Sequence, residues 1–167
     1  MIRRAKITEI PDILTITRAC AADMIKKKIY QWNDHYPSKE AFENDIKRAE
    51  LYVLEVDESI IGTIVISEHM DEEYAQVEWL TRNKDNVYIH RLSVHPNFQG
   101  KGFARQLMNF AENQAHEKGC VSVRLDTFSQ NPRNQKFYEA RGYIRLGDIF
   151  FSKQSEHPFH CYELVLF

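Results

Sequence analysis

The pattern of apolar and polar positions along the chain predicts a series of short strands and helices without repeats. Runs of β-branched and aromatic residues predict strands, and apolar residues that recur every three to four positions predict helices. The predicted strands cover residues 2–7, 51–56, 60–67, 87–94, 121–128, 143–151 and 159–167. The predicted helices cover about residues 8–28, 38–49, 102–118 and 131–141. This order, β-α-α-β-β-β-α-β-α-β-β, indicates one α+β domain over residues 1–167 with a mixed sheet.

Polar residues suited to capping stand before three of the predicted helices. Thr8 precedes the first helix and Ser38 precedes the second, and the side-chain oxygen of either can accept a backbone N–H. Asn131 is followed by Pro132, which combines a cap with the residue favoured at the first helical position. We therefore expect the three helices to begin at these points.

The strand at 121–128 alternates apolar with polar residues. Val121, Val123 and Leu125 stand against Ser122, Arg124 and Asp126. Strict alternation is typical of a strand with one face in the core and one in water. We expect this strand to be half-buried, with its polar side chains exposed.

The composition is that of an ordinary globular protein. The chain has 167 residues, 43% of them hydrophobic and 28% charged, with a formal net charge of −2. This charge gives no general attraction to nucleic acid or to membranes, so we expect neither as a partner. Three widely spaced cysteines without a C-x-x-C indicate neither a disulfide framework nor a zinc site, and we expect no metal. No long apolar segment or signal segment is seen, so we expect a cytoplasmic protein.

A glycine-rich loop joins the strand at 87–94 to the helix that follows it. Its sequence is Gln99-Gly100-Lys101-Gly102-Phe103-Ala104. Glycine lets the backbone turn tightly and approach a ligand closely. The first N–H groups of a helix have no partner within it, and the helix dipole is positive at that end. The loop therefore predicts a site for a phosphate or pyrophosphate, to which Lys101 and Arg105 add charge.

Two common phosphate-loop patterns fit this loop poorly. The Walker pattern needs Gly-Lys-Ser/Thr, but a glycine follows Gly100-Lys101. The dinucleotide fingerprint needs a small residue where this chain has Arg105, although Asp126 lies roughly where a ribose-binding acid is expected. A nucleotide-binding protein that uses ATP or NAD is therefore a weaker alternative.

A third pattern, Gln/Arg-x-x-Gly-x-Gly/Ala, fits at every fixed position. Gln99, Gly102 and Ala104 occupy these positions, and the preceding strand ends in Val94-x-Pro96. This arrangement resembles the acetyl-coenzyme A loop of the GNAT superfamily of N-acetyltransferases. The order of the predicted elements also resembles the GNAT fold, which implies a mixed, mostly antiparallel central sheet flanked by helices.

A second motif supports the resemblance between residues 131 and 143. It is similar to the GNAT pattern Asn-x-x-(Ala/Ser)-x-x-(Phe/Leu)-Tyr-x-x-x-Gly-(Phe/Tyr). The residues that match are Asn131, Phe137, Tyr138, Gly142 and Tyr143. Asn134 stands where a small residue is usual, which leaves open whether Asn131 or Asn134 meets the cofactor.

The resemblance implies transfer of an acetyl group from acetyl-CoA to a primary amine, by direct attack in a ternary complex. It implies that the backbone around the end of the central strand holds the pantetheine arm, with the Val94 N–H polarising the acetyl carbonyl, and that the loop holds the pyrophosphate. The implied cofactor-binding residues are Leu92, Ser93, Val94, Gln99, Gly100, Lys101, Gly102, Phe103, Ala104, Arg105, Asn131, Asn134 and Tyr138. Tyr138 is expected to protonate the departing thiolate.

The base and the acceptor pocket are less strongly indicated. A primary amine like that of lysine has a pKa of about 10.4, so a base must remove its proton. His90 in the central strand is the first candidate for this base, and Glu78 is a weaker one. In the GNAT fold the acceptor pocket usually lies between the first two helices and the final strands, and the aromatic loop at 30–37 is predicted there. The expected substrate-binding residues there are Gln31, Trp32, His35 and Tyr36.

Several readings of the function remain open at this point. The acceptor is expected to be a small-molecule amine or an amino acid. The alternatives are acetylation of protein N-termini or lysines, and a non-catalytic module that binds acyl-CoA. The apolar residues of the last predicted strand belong either to the core or to the edge of a homodimer.

Overall fold

A computed structural model describes residues 1–167 and contains seven strands and four α-helices. The strands are β1 (Ile2–Arg4), β2 (Leu51–Val56), β3 (Ser59–Ser67), β4 (Asn86–Val94), β5 (Ser122–Phe128), β6 (Ile144–Ile149) and β7 (Phe159–Val165). The helices are α1 (Ile10–Lys26), α2 (Lys39–Lys47), α3 (Phe103–Glu117) and α4 (Pro132–Ala140). Short 3-10 helices lie at Ile7–Glu9, Glu72–Gln76 and Pro96–Phe98. No helix combines the length and the apolar character that crossing a membrane requires.

The seven strands form a mixed sheet in the order β1-β2-β3-β4-β5-β7-β6. The pairs β1–β2, β2–β3, β5–β7 and β6–β7 are antiparallel, and β4–β5 is parallel. The predicted α+β class and mostly antiparallel sheet are confirmed. β6 and β7 are shorter than predicted, and the register of β6 against β7 shifts between Arg145 and Asp148.

The chain divides into two compact units. The first comprises Met1–Ile66 and Arg91–Ala111, and the second comprises Ser67–His90 and Glu112–Phe167. β4 contributes its first residues to the second unit and its last residues to the first unit. The organisation of residues 1–167 as one domain stays a prediction.

The core of the first unit lies between two helices and two strands. Its buried members are Ile10, Ile13 and Leu14 of α1, Phe42 of α2, Leu51 and Val53 of β2, and Val65 of β3. Burial of each large side chain contributes about 1.5–3 kcal/mol. Thr17 of α1 is also buried, and its Oγ1 donates to the Leu14 carbonyl at 3.3 Å. α1 therefore faces this core through Ile10, Ile13 and Leu14.

The start of α1 differs from the prediction. Residues 7–9 form a 3-10 helix instead of the end of a strand and a Thr8 cap. The Glu9 carboxylate accepts the Lys6 N–H at 2.7 Å and pairs with Arg3 at 2.6 Å. These contacts replace the cap expected from Thr8, so that prediction was wrong. The cap of α2 is confirmed, since Ser38 Oγ accepts the Ala41 N–H at 3.1 Å.

Two polar residues of β5 in the second unit, Ser122 and Arg124, are buried. Arg124 has no exposed surface and forms an ion pair with the equally buried Glu163 of β7, with Nε and Oε2 2.9 Å apart. Glu163 also accepts hydrogen bonds from Ser122 Oγ, Thr81 Oγ1 and the Leu80 N–H, each at 2.6 Å. The prediction of a half-buried β5 was wrong, because the segment between β3 and β4 and the strand β7 supply partners that replace water.

Candidate active site

The loop after β4 lies in the first unit and has the backbone shape that its glycines favour. Gln99 Nε2 donates to the Val94 carbonyl at 2.9 Å and so ties the loop to the end of the strand. Gly100 and Gly102 have φ values of +77° and +87°, in the left-handed region where a side chain is disfavoured. α3 begins directly afterwards, at Phe103. The predicted order of strand, glycine-rich loop and helix is confirmed.

The two cations of this loop flank the start of α3. Lys101 and Arg105 are both exposed, and Lys101 Nζ lies 5.6 Å from the centre of the Phe98 ring. Phe103 and Ala104 are half-buried. The unpartnered N–H groups expected in the first turn of α3 and the two exposed cations give this end of the helix the chemistry of an anion site.

The strand segment that leads into the loop is fixed by side-chain hydrogen bonds within the first unit. The hydroxyls of Ser93 and Thr63 are 2.8 Å apart. The Val94 carbonyl accepts from Cys20 Sγ at 3.2 Å, and burial raises the pKa of Cys20 to about 12, so this thiol remains a donor. Ser93 and Val94 are buried, and Leu92 is half-buried. A backbone held in this way is preorganised for hydrogen bonding to a ligand.

The second motif lies at the start of α4, in the second unit. Asn131 is the N-cap, with its Oδ1 accepting the Asn134 N–H at 3.2 Å. Asn131 is buried and Asn134 is half-buried. The capping prediction for Asn131 is confirmed, and the contact of either asparagine with a cofactor stays a prediction.

Tyr138 of α4 is buried in an aromatic cluster of the second unit. Its ring lies 5.2, 5.8 and 6.3 Å, between centroids, from the rings of Phe137, Tyr143 and Tyr162. Burial, and then the negative charge of Asp126, raise the pKa of Tyr138 above its ordinary value, although Arg141 opposes this. The phenol therefore keeps its hydrogen at neutral pH and is available as a proton donor.

The candidate bases differ in their surroundings. His90 is half-buried in β4, and its ring centroid is 6.3 Å from that of Tyr74. Glu78 is exposed. Tyr74 is fully buried and its hydroxyl donates to Asp126 of β5. This contact was not predicted from the sequence, where the only signal of Tyr74 is an aromatic residue within an acidic, polar segment.

The four residues expected to bind the acceptor lie in the first unit and differ in their burial and their contacts. Trp32 is buried against Ile16, Cys20 and Ala21. The Tyr36 hydroxyl accepts a hydrogen bond from Arg91 at 3.4 Å. His35 is exposed, and Gln31 has a buried Oε1 without a hydrogen-bond partner. Substrate binding by these four residues stays a prediction.

The histidines and cysteines near β7 do not form a metal site. His160 Nδ1 is hydrogen-bonded to Asp148 Oδ1 at 2.6 Å, and Cys161 is a buried free thiol. No group of three or more His, Cys, Asp or Glu side chains in the chain could hold a metal ion.

Known proteins resemble this chain in sequence. The profile of the Acetyltransferase (GNAT) family matches residues 15–143. The chain is 24% identical over 102 residues to the uncharacterized N-acetyltransferase YesJ of Bacillus subtilis, covering 61% of this chain and 57% of that protein. It is 32% identical over 63 residues to acetyltransferase Atu2258 of Agrobacterium fabrum, covering 38% of this chain and 44% of that protein. The matches thus span about half the length of these two relatives.

Solved structures resemble the whole chain. A protein of Staphylococcus aureus Mu50 is 28% identical with a TM-score of 0.78, over 100% of this chain and 99% of that one. A GNAT-family acetyltransferase from Streptococcus agalactiae 2603 is 22% identical with a TM-score of 0.80, over 99% and 94% of the two chains. Because the Streptococcus agalactiae protein is only 22% identical, its similarity to this chain shows a common fold alone. With the profile match over residues 15–143, the glycine-rich loop and the α4 motif, the chain belongs to the GNAT family of acetyltransferases.

Proposed function

We propose that this protein transfers an acetyl group from acetyl-CoA to a primary amine, by direct attack in a ternary complex. The observation that carries the proposal is the position of the Tyr138 phenol on α4, the helix that Asn131 caps. A proton donor at this position of the GNAT motif suits a reaction in which a thiolate departs.

The family resemblance assigns the cofactor to two sets of residues. Residues Gln99–Arg105 take the pyrophosphate through backbone N–H groups and two cations, and Leu92–Val94 take the pantetheine arm. The Val94 N–H polarises the acetyl carbonyl as a small oxyanion hole. Support comes from relatives of the same fold, since PaiA N-acetyltransferase of Thermoplasma acidophilum was solved with coenzyme A and YncA of Salmonella typhimurium with acetyl-CoA.

The proton balance defines what the chain's residues must do. The acceptor ammonium loses one proton, and the neutral amine attacks the thioester carbonyl to form a C–N bond. The nitrogen then loses a second proton while the C–S bond breaks, and the departing thiolate takes the proton of Tyr138. Tyr138 regains a proton from solvent, so the products are an amide and a thiol, with one proton released overall. His90 is the first proposed base for the amine.

We also propose an acceptor that is a small molecule or amino acid, bound beside Gln31, Trp32, His35 and Tyr36 in a cytoplasmic protein. The exposed His35 and the partly covered Tyr36 offer polar and aromatic contacts to a cationic amine. A homodimer is a further proposal. Since β7 is paired on both sides and its Phe159 and Tyr162 are buried, the exposed apolar side chain offered for it is Phe167, which follows the strand.

The test is thiol release from acetyl-CoA over a panel of amines, amino acids, polyamines and short peptides, with wild type and Tyr138→Phe. We expect turnover with one class of small amine. The variant should lower kcat by about 100-fold while acetyl-CoA affinity changes little. Binding of acetyl-CoA without release of thiol for any acceptor would instead favour a binding module, and turnover with peptides alone would favour a protein acetyltransferase.

A further inference from the structure

A buried phenol holds the carboxylate near the end of β5. Tyr74, in the 3-10 helix Glu72–Gln76, has no exposed surface, and its hydroxyl donates to Asp126 Oδ2. Burial, and next the negative charge of Asp126, raise the pKa of Tyr74 well above its ordinary value. The phenol therefore remains a donor at neutral pH and fixes one oxygen of the Asp126 carboxylate.

Tyr74 is itself held rigidly by its neighbours in the second unit. Its carbonyl accepts from Trp79 Nε1 at 2.9 Å, and its ring lies 5.3 Å from the Trp79 ring and 5.6 Å from the Tyr88 ring. The guanidinium of Arg124 stacks over Trp79 at 4.5 Å. Because Arg124 is anchored by the buried ion pair with Glu163, the position of the Tyr74 hydroxyl is well determined.

Asp126 lies at the same end of the sheet as the residues that surround Tyr138. It pairs with Cys161 across β5 and β7, and Tyr162, the next residue of β7, packs its ring against Tyr138 on the opposite face of the sheet, because successive side chains of a strand alternate between its faces. After burial, the charge of Asp126 is the next largest contribution to the raised pKa of Tyr138. Asp126 is half-buried, which allows contact with a ligand that a fully buried carboxylate would not have.

We propose that Asp126 binds the cationic amine of the acceptor and accepts its proton, and that Tyr74 is the positioning residue that aims this carboxylate. The inference rests on the proposed acetyl transfer and gives the substrate class as alkylammonium compounds. His90, whose ring adjoins Tyr74, then flanks the acceptor instead of being the first base.

The steps balance with residues already named. The ammonium gives one proton to Asp126, and the amine forms the C–N bond to the acetyl carbonyl. After attack the nitrogen gives its second proton to solvent, the C–S bond breaks and the thiolate takes the proton of Tyr138. Asp126 then gives its proton to solvent and the Tyr138 phenolate takes one from solvent, which restores both groups with one proton released overall.

The test compares Asp126→Asn and Tyr74→Phe with a matched control, Asp148→Asn. Asp148 is also a hydrogen-bonded aspartate of the second unit, with its Oδ1 2.6 Å from His160 Nδ1. With the alkylamine that wild type uses best, Asp126→Asn should lower kcat/KM for the amine by about 100-fold. Tyr74→Phe should lower it by about 10-fold through misplacement of the carboxylate. The control should stay near wild type, and the KM for acetyl-CoA should change little in all three variants.

A weakly basic nucleophile distinguishes loss of the base from loss of structure, because a structural defect would impair the acetylation of every nucleophile. Hydroxylamine is unprotonated at neutral pH, so it needs no base before attack, and Asp126→Asn should impair its acetylation far less than that of the alkylamine. Equal losses for both nucleophiles, or unchanged kinetics of Asp126→Asn, would overturn the inference while leaving the proposed function intact. A wild-type protein that acetylates no amine would overturn the proposed function, and the inference with it.

Discussion

Asp45 of α2 and Arg91 of β4 form a two-pronged ion pair at a point where the strand departs from extended geometry. Arg91 Nε and Nη2 donate to the two carboxylate oxygens of Asp45 at 2.8 and 2.7 Å. Arg91 has a φ of +48°, a left-handed conformation that non-glycine residues seldom adopt and that costs on the order of 1–3 kcal/mol. The pair therefore holds the backbone just before Leu92–Val94, the segment proposed to bind pantetheine.

Replacement of Asp45 should destabilise the protein and disturb the proposed cofactor segment. Asp45→Asn leaves the guanidinium of Arg91 largely buried without its counter-charge, and loss of a buried partner costs about 3–5 kcal/mol. Urea unfolding should show a lower midpoint at an unchanged slope. The control on the same helix is Glu43→Gln, which breaks only the exposed Lys39–Glu43 pair and should cost less than about 0.5 kcal/mol. Equal midpoints for the two variants would contradict the role given to Asp45.

Gly62 of β3 lets two strands approach closely in the first unit. A Cβ at this position would lie 3.0 Å from the Ser93 carbonyl oxygen and 3.2 Å from Leu107 Cδ1. Gly62→Ala should therefore lower the free energy of unfolding by about 1–3 kcal/mol. Gly147→Ala is the control, because its Cβ would meet only Val77 at 3.6 Å, and it should change stability by less than about 0.5 kcal/mol. A Gly62 variant as stable as the Gly147 variant would refute the close approach.

The glycine-rich loop should be needed for binding because of its backbone conformation. Gly102 has a φ of +87° and a Cβ there would meet nothing within 4 Å, so Gly102→Ala adds backbone strain without a clash. The loop would change its shape to relieve about 1–2 kcal/mol of this strain, and acetyl-CoA would then bind about 10-fold more weakly. Gly119→Ala, with a φ of +76° after α3, brings similar strain away from the loop. Titration calorimetry should find weaker binding for the first variant only.

The buried Glu163 should make stability depend on acid pH. Burial alone would raise the pKa of Glu163, but hydrogen bonds from Ser122, Thr81, Arg124 and the Leu80 N–H together lower it. Since the folded pKa lies below the unfolded value of about 4.3, the stabilisation is complete above that pH and is lost as the pH falls through the folded pKa.

Glu163→Gln tests this pH dependence directly. At neutral pH the variant should be about 3 kcal/mol less stable than wild type, because Arg124 loses its buried partner. The difference in the free energy of unfolding should shrink below about pH 4. A difference that stays constant down to about pH 3 would mean that the carboxylate is not the group whose charge matters.

The elements that were predicted correctly from the sequence are those whose signals are local. Ser38 and Asn131 each accept an N–H three residues further on, so four consecutive residues contain the whole signal. The glycines of the loop and the three-to-four-residue spacing of apolar positions in the helices are also local signals. These predictions agree with the structure because backbone geometry and helix periodicity are determined within a few residues.

Two of the features that escaped prediction depend on partners distant in sequence. From the sequence alone Arg124 is expected to face solvent. In the structure its ion pair with Glu163, 39 positions later, takes the place of water. Tyr74 and Asp126 are 52 positions apart, and nothing in either neighbourhood indicates their contact. The start of α1 was missed because Arg3 and Lys6 draw Glu9 into a local network that competes with a Thr8 cap. Tertiary pairing of polar groups thus overrode the alternation rule, whereas a competing local network overrode the capping preference.

The most direct test of the proposed acetyl transfer follows the acetyl group itself. Wild-type protein is incubated with acetyl-CoA labelled with ¹³C at the acetyl carbonyl and with the best amine of the panel, and the product is read by NMR while thiol is measured in parallel. We expect a new amide carbonyl signal in equal amount to the released thiol, and strong suppression of both in Tyr138→Phe. Thiol accompanied only by labelled acetate, or labelled acetyl-CoA that remains intact with every amine, would contradict the proposed transfer.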